Sequence, residues 1–161
     1  MPQCEGTVMA ARVVSNSSPI IALADLHRLE FLFELFGEIS VPPAVIVETV
    51  TAAPLPQWIQ EVELRQPLGL HIGFVGLGPG ESEAIRLALE THPPWLILDD
   101  RPARRLAISL GIPVIGTLGI LLAAKRKGLL TALQPILDEL MQTGFFVAPA
   151  LYRQVLADAD E

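Results

Sequence analysis

Short apolar runs alternate with longer amphipathic ones along this chain. Residues 11–15 (ARVVS) predict a buried strand. Asn16-Ser17-Ser18-Pro19 reads as a turn opening a helix, with Ser18 as N-cap and Pro19 at the first helical position. IIALADLHRLEFLFELFG follows with helical spacing and ends at Gly37; a break near Asp25 would make it two helices. EISV predicts a short strand, and PPAVIVETVTAA a helix begun by its prolines. Residues 54–80 are less regular. Trp58, the alternating EVEL and the Gly-rich LHIGFVGLGPG predict a short helix, an edge strand and a loop.

ESEAIRLALETH is a strongly amphipathic helix with acids in its first turn, where the helix dipole favours them, and Pro93-Pro94 stops it. WLIL predicts a strand ended by Asp99-Asp100. RPARRLAISLG is a helix closed by Gly111, and PVIG is another strand. TLGILLAAKRKG is a helix between an N-cap at Thr117 and a C-cap at Gly128. TALQPILDELMQTG predicts a helix interrupted by Pro135, FFVAP an extended segment and ALYRQVLADA a closing helix. This alternation predicts the α/β class, with a central parallel sheet of about five strands flanked by helices in three layers. The 161 residues show no repeat and no linker, so residues 1–161 are expected to form one domain.

Composition removes several other classes. An apolar fraction of 51% excludes disorder. Cys4 has no second cysteine to pair with, which excludes an internal disulfide and points to a reducing compartment, the cytoplasm. The uncharged stretch from Leu106 to Ala124 is broken by Gly111, Pro113, Gly116 and Gly119, so no membrane span is expected. The opening MPQCEGTVMAARVV carries Glu5 and no continuous apolar run, unlike a secretory signal. A net charge of −7 argues against a grip on nucleic acid by bulk charge. It leaves room for a local basic patch, and Arg101, Arg104 and Arg105 form one.

In parallel sheets, ligands sit beyond the carboxyl ends of the strands. That rule selects Asn16, Ser17 and Ser18 after the first strand, and Asp99 and Asp100 after WLIL. The neighbouring helices add Glu48, Glu81 and Glu83. Carboxylates gathered in a crevice repel one another unless a cation neutralises them. An all-oxygen set without His or Cys suits Mg²⁺ or Mn²⁺, and such ions commonly serve phosphate-ester chemistry. Each residue also has a plain structural reading: Ser18 and Asp100 as caps, Glu81 and Glu83 as complements to a helix dipole, Glu48 on a solvated face. Arg101, Arg104 and Arg105 share one helix face, which suits a phosphate or a solvated surface equally. Gly76-x-Gly78-x-Gly80 matches neither the dinucleotide fingerprint nor the Walker loop.

Four segments together resemble the PIN-domain nucleases: VVSNSSPIIAL, SVPPAVIVETV, GPGESEAIRLAL and LILDDRPARRLAISLGIPVIGTLGILLAAKRKGLL. They occur in the family's order over about residues 11 to 130 and look like a branch related to VapC-type toxins, once described only as a domain of unknown function. The helices of 131–161 lie outside that core. The resemblance implies a metal-dependent ribonuclease, acting on RNA with Mg²⁺ or Mn²⁺, paired with an antitoxin protein and homodimeric. It implies metal-binding positions at Asn16, Glu48, Glu83 and Asp100, with Asp99 and Ser18 in or near the surrounding shell. Asn16 departs from the family pattern, where Asp is usual; its carbonyl oxygen can still coordinate a hard cation but brings no charge. The alternative is a PIN module that has lost catalysis and binds nucleic acid or a protein partner.

Overall fold

The computed structural model describes residues 12–49, 54–66 and 76–161. Five strands form one sheet: β1 (Val13–Ser15), β2 (Ile39–Val41), β3 (Ile59–Glu61), β4 (Leu96–Ile97) and β5 (Val114–Ile115). Their order is β3-β2-β1-β4-β5, and every pair is parallel. Eight helices are described: α1 (Ser17–Asp25), α2 (Glu30–Phe36), α3 (Pro43–Thr49), α4 (Pro79–Thr91), α5 (Arg101–Ser109), α6 (Thr117–Arg126), α7 (Gln134–Gln142) and α8 (Pro149–Asp158). This is the α/β architecture the alternation predicts. Among the described residues no helix is long and apolar enough to cross a membrane.

The strand period of two divides the core between the faces of the sheet. Val13 and Ile97 join a large cluster with Leu23, Leu32, Ile120 and Leu137. Val14, Leu96 and Leu98 point the other way, into a cluster with Ile85, Leu87, Ala103 and Ala107. Helices α4 and α5 therefore cover one face, while α1, α2, α6, α7 and α8 cover the other. Both faces of β1 and β4 are dry, which explains why Val13-Val14 and Leu96-Ile97 are consecutive apolar residues rather than alternating ones.

Several local expectations need correction. Helix α1 begins at Ser17, so Asn16 is its N-cap residue and Ser18 is an exposed helical position. Gly116, not Thr117, is the N-cap of α6; Thr117 is the first helical residue and its hydroxyl is used elsewhere. Pro135 does not interrupt a helix but begins α7, where a missing N–H is no loss. The stretch around residues 145–148 joins no sheet. In 54–66 the edge strand is present as β3, without a helix; the Gly-rich segment of 67–75 lies outside the described residues.

The far end of the fold is tied by one carboxylate. Glu161 accepts from Lys125 Nζ at 2.9 Å and from the N–H groups of Leu133 and Gln134, the latter at 3.1 Å. It thus caps the start of α7 from outside the helix and anchors it to the end of α6. The Lys125 bond, then the Leu133 N–H, pull its pKa down from 4.5 to about 2. A depressed carboxylate stabilises the fold above its unfolded pKa and loses that contribution as pH falls through its folded one. Wild type should therefore melt above Glu161→Gln at pH 7, and the gap should close between about pH 4.5 and pH 2. A gap that persists unchanged at pH 2 in thermal melts would contradict this.

Candidate functional site

The strand order reverses direction between β1 and β4, which opens a crevice beyond their carboxyl ends. The Asn16 N–H donates to the Ile97 carbonyl at 3.0 Å, so the loops after β1 and β4 leave the sheet side by side. Asn16 and Asp99 therefore stand on neighbouring strand ends.

Asn16 is fully buried, with an extended backbone (φ −82°, ψ 172°). Its side chain does not cap α1. Nδ2 donates instead to Glu81 Oε2 at 3.3 Å. Its Oδ1 is buried and has no hydrogen-bond partner. A buried lone acceptor costs about 1–3 kcal/mol unless something satisfies it, so this oxygen is poised for a donor or a cation.

Glu48 arrives from α3. Ser17 Oγ donates to Glu48 Oε1 at 2.5 Å, and the Gly80 N–H donates to Oε2 at 3.2 Å. Both oxygens of the carboxylate are thus aimed by neutral donors. Gly80 must be glycine for this approach: a Cβ there would lie 2.9 Å from Oε2 and closer still to Oε1. Glu81, one residue on, also accepts from the Gly78 N–H at 2.8 Å, satisfying a free donor at the start of α4. Its second oxygen reaches Asn16.

The remaining expected residues have other partners. Glu83 Oε1 accepts from the Ala44 N–H at 2.8 Å and so caps the start of α3. Asp100 is exposed and caps α5 through the Ala103 N–H at 3.0 Å. Asp99 is half-buried and grips Thr117 twice, accepting from its N–H at 2.8 Å and its hydroxyl at 2.6 Å. Arg104 Nη1 donates to the Leu98 carbonyl at 2.8 Å, while Arg101 and Arg105 are exposed.

The geometry draws together Asn16, Ser17, Glu48, Gly80 and Glu81, with Asp99 on the adjoining strand end. Among the described residues no three His, Cys, Asp or Glu side chains close into a metal-holding group. Mg²⁺, however, commonly takes only one or two carboxylates and keeps several waters. A buried unpaired amide oxygen beside carboxylates is a donor set of that kind, so the residues present fit a hard divalent cation.

A family model described as a PIN domain matches residues 12–161. The chain belongs to the PIN-domain family. Searches of curated proteins and of solved structures return no match. PIN domains are folds of the nuclease type that bind nucleic acid, which places this chain among hydrolases of the nuclease kind.

Within this PIN domain, Ser17 rather than Ser18 reaches a site carboxylate, and Glu81 rather than Glu83 meets Asn16. Both follow from helix geometry. A helix start one residue earlier turns Ser17 inward. At roughly 100° per residue, Glu81 and Glu83 lie about 200° apart and cannot share a face. The place of Glu81, three residues past the Gly78 that precedes α4, was the signal, because a Glu there can reach back to the N–H at the helix start.

Proposed function

We propose that this protein is a Mg²⁺- or Mn²⁺-dependent endoribonuclease that hydrolyses RNA phosphodiester bonds and serves as the toxin of a toxin–antitoxin pair. The observation that carries the reading is the buried, unpaired Asn16 Oδ1 beside Glu81, next to a Glu48 whose two oxygens are both aimed. Asn16, Glu48 and Glu81 would hold the metal, with Asp99 at its flank. When bound, the ion supplies charge neutralisation at the phosphate and activation of the attacking water. Ser17 and Gly80 fix the Glu48 carboxylate in one orientation. Thr117 fixes Asp99. Arg101, exposed and lining one cleft with Asp99, would receive a backbone phosphate. An antitoxin protein and a second copy of the chain are the partners this reading expects.

The test is cleavage of a labelled single-stranded RNA pool with Mn²⁺, an EDTA control and a Glu48→Gln protein prepared identically. Cleavage should require the metal and should fall about a hundredfold or more in the variant. Cleavage that survives Glu48→Gln would overturn the assignment of the site. Asn16 favours one second reading, a module that binds nucleic acid or a partner without cutting, because an uncharged side chain holds a cation less tightly than Asp. A folded wild-type protein that binds RNA with Mn²⁺ but never cuts it would select that reading.

A further inference from the structure

A cleft of about 600 Å³ adjoins the crevice on the side of β5. Part of its wall is polar, made by Asp99, Arg101 and Arg104; another part is apolar, with Phe146 and Leu151. Asp99 thus belongs both to this cleft and to the acidic site. Gly116 keeps the cleft open, because a Cβ there would stand 2.8 Å from Arg104 Nη1 and 2.8 Å from Asp99 Oδ1.

Phe146 is the most exposed large apolar side chain among the described residues, at 78%. Its surroundings do not make it loose. Phe145 packs against the core and Val147 is buried, so anchors on both sides hold Phe146 outward. A phenyl ring left in water gains nothing for the fold. Beside cationic side chains it offers a π-face next to a phosphate contact, the pairing by which single-stranded nucleic acid is held. An apolar peptide on the same wall would have to desolvate Arg101 and Asp99 without replacing their hydration.

We infer that this cleft takes an unpaired nucleobase of a single-stranded nucleic acid, stacked on Phe146, with the neighbouring phosphate on Arg101. The inference rests on the nuclease reading above and adds the subsite that positions the strand next to Asp99. It also answers the charge problem of a chain at −7: the strand is gripped locally, by one ring and one small arginine patch, not by bulk charge.

The experiment uses a seven-nucleotide single-stranded RNA carrying one 2-aminopurine, and a matching RNA abasic at that position. Binding is read by fluorescence with Mn²⁺ in a Glu48→Gln background, which binds without cutting, while wild-type cleavage is assayed alongside. Phe146→Ala should weaken the base-containing RNA about tenfold and leave the abasic RNA within about twofold, whereas Phe146→Trp should retain binding. Arg101→Ala should weaken both RNAs and lower the salt dependence by about one phosphate contact. Unchanged affinity in Phe146→Ala, with a wild type that cleaves, would overturn the subsite and leave the nuclease standing. A wild type that neither binds nor cleaves would overturn both. Loss of a dimer in Phe146→Ala by sedimentation, with RNA affinity unchanged, would make this face an interface between copies and overturn the subsite.

Discussion

Gly80→Ala is expected to reduce RNA cleavage about a hundredfold while leaving the melting temperature within a few degrees of wild type. The added methyl would occupy the space of the Glu48 carboxylate, 2.9 Å from its Oε2 and nearer to Oε1. The carboxylate is the far end of a flexible side chain on the exposed part of α3, so it can swing away at little cost. The backbone of Gly80 is helical, in the first turn of α4, where Ala is the better helix former by up to about 1 kcal/mol. Stability is therefore nearly conserved or slightly raised. Orientation is lost, because Glu48 cannot keep its bonds to Ser17 Oγ and the Gly80 N–H once displaced. Misplacement by about 1 Å is enough for a hundredfold effect. Since the methyl acts only through Glu48, it should add almost nothing to Glu48→Gln in the double variant. Melts by circular dichroism together with kcat/KM for the four proteins decide it. Activity within about threefold of wild type, or full additivity, would detach Gly80 from the function of Glu48.

Gly80 also shows which parts of the site a sequence can carry. The parallel sheet, its strand ends and the residues on them were legible, because a buried strand such as the one in WLIL announces itself as an uninterrupted apolar run. Asn16 and Asp99 follow directly from that, being the first polar side chains past two adjacent strands. What was not legible was orientation. Whether Glu81 or Glu83 turns toward Asn16 depends on the phase of α4 against the sheet, which its packing and not its spacing decides. Asp100 had both a ligand and a cap reading in the sequence, and the fold shows the cap, since a carboxylate before RPARR is suited to either task. Arg104 reads as a free cation and is tied to the Leu98 carbonyl. The role of Gly80 as a close-approach position depends on α3 lying across the start of α4, a contact between elements far apart in sequence. Phe146 carried no signal at all, because nothing in FFVAP tells which of its two adjacent aromatics faces the core.

Asn16→Asp is expected to destabilise the metal-free protein by about 3 kcal/mol and to strengthen its response to Mn²⁺. Asn16 is fully buried, and its Nδ2 is the donor that meets Glu81 Oε2. Substituting Asp removes that donor and sets two carboxylates against each other without water. At roughly 2–4 °C per kcal/mol for a chain of this size, the melting temperature in EDTA should fall by about 6–12 °C. Lowering the pH should shrink the deficit, because burial and the Glu81 charge both raise the pKa of the new carboxyl, and its neutral form is the one tolerated there. Mn²⁺ reverses the balance. A second negative oxygen beside Glu81 binds the cation more tightly, and ligand that binds only the folded state raises stability by RT ln(1 + [L]/Kd). The Mn²⁺-induced rise in melting temperature should thus be larger in the variant than in wild type, and cleavage should saturate at lower Mn²⁺. Equal melting temperatures in EDTA would show that Asn16 does not face an ionised Glu81. A Mn²⁺ response no larger than that of wild type would show that the buried Oδ1 is not a metal position, and the unpaired oxygen would then have to be met by a donor from the substrate instead.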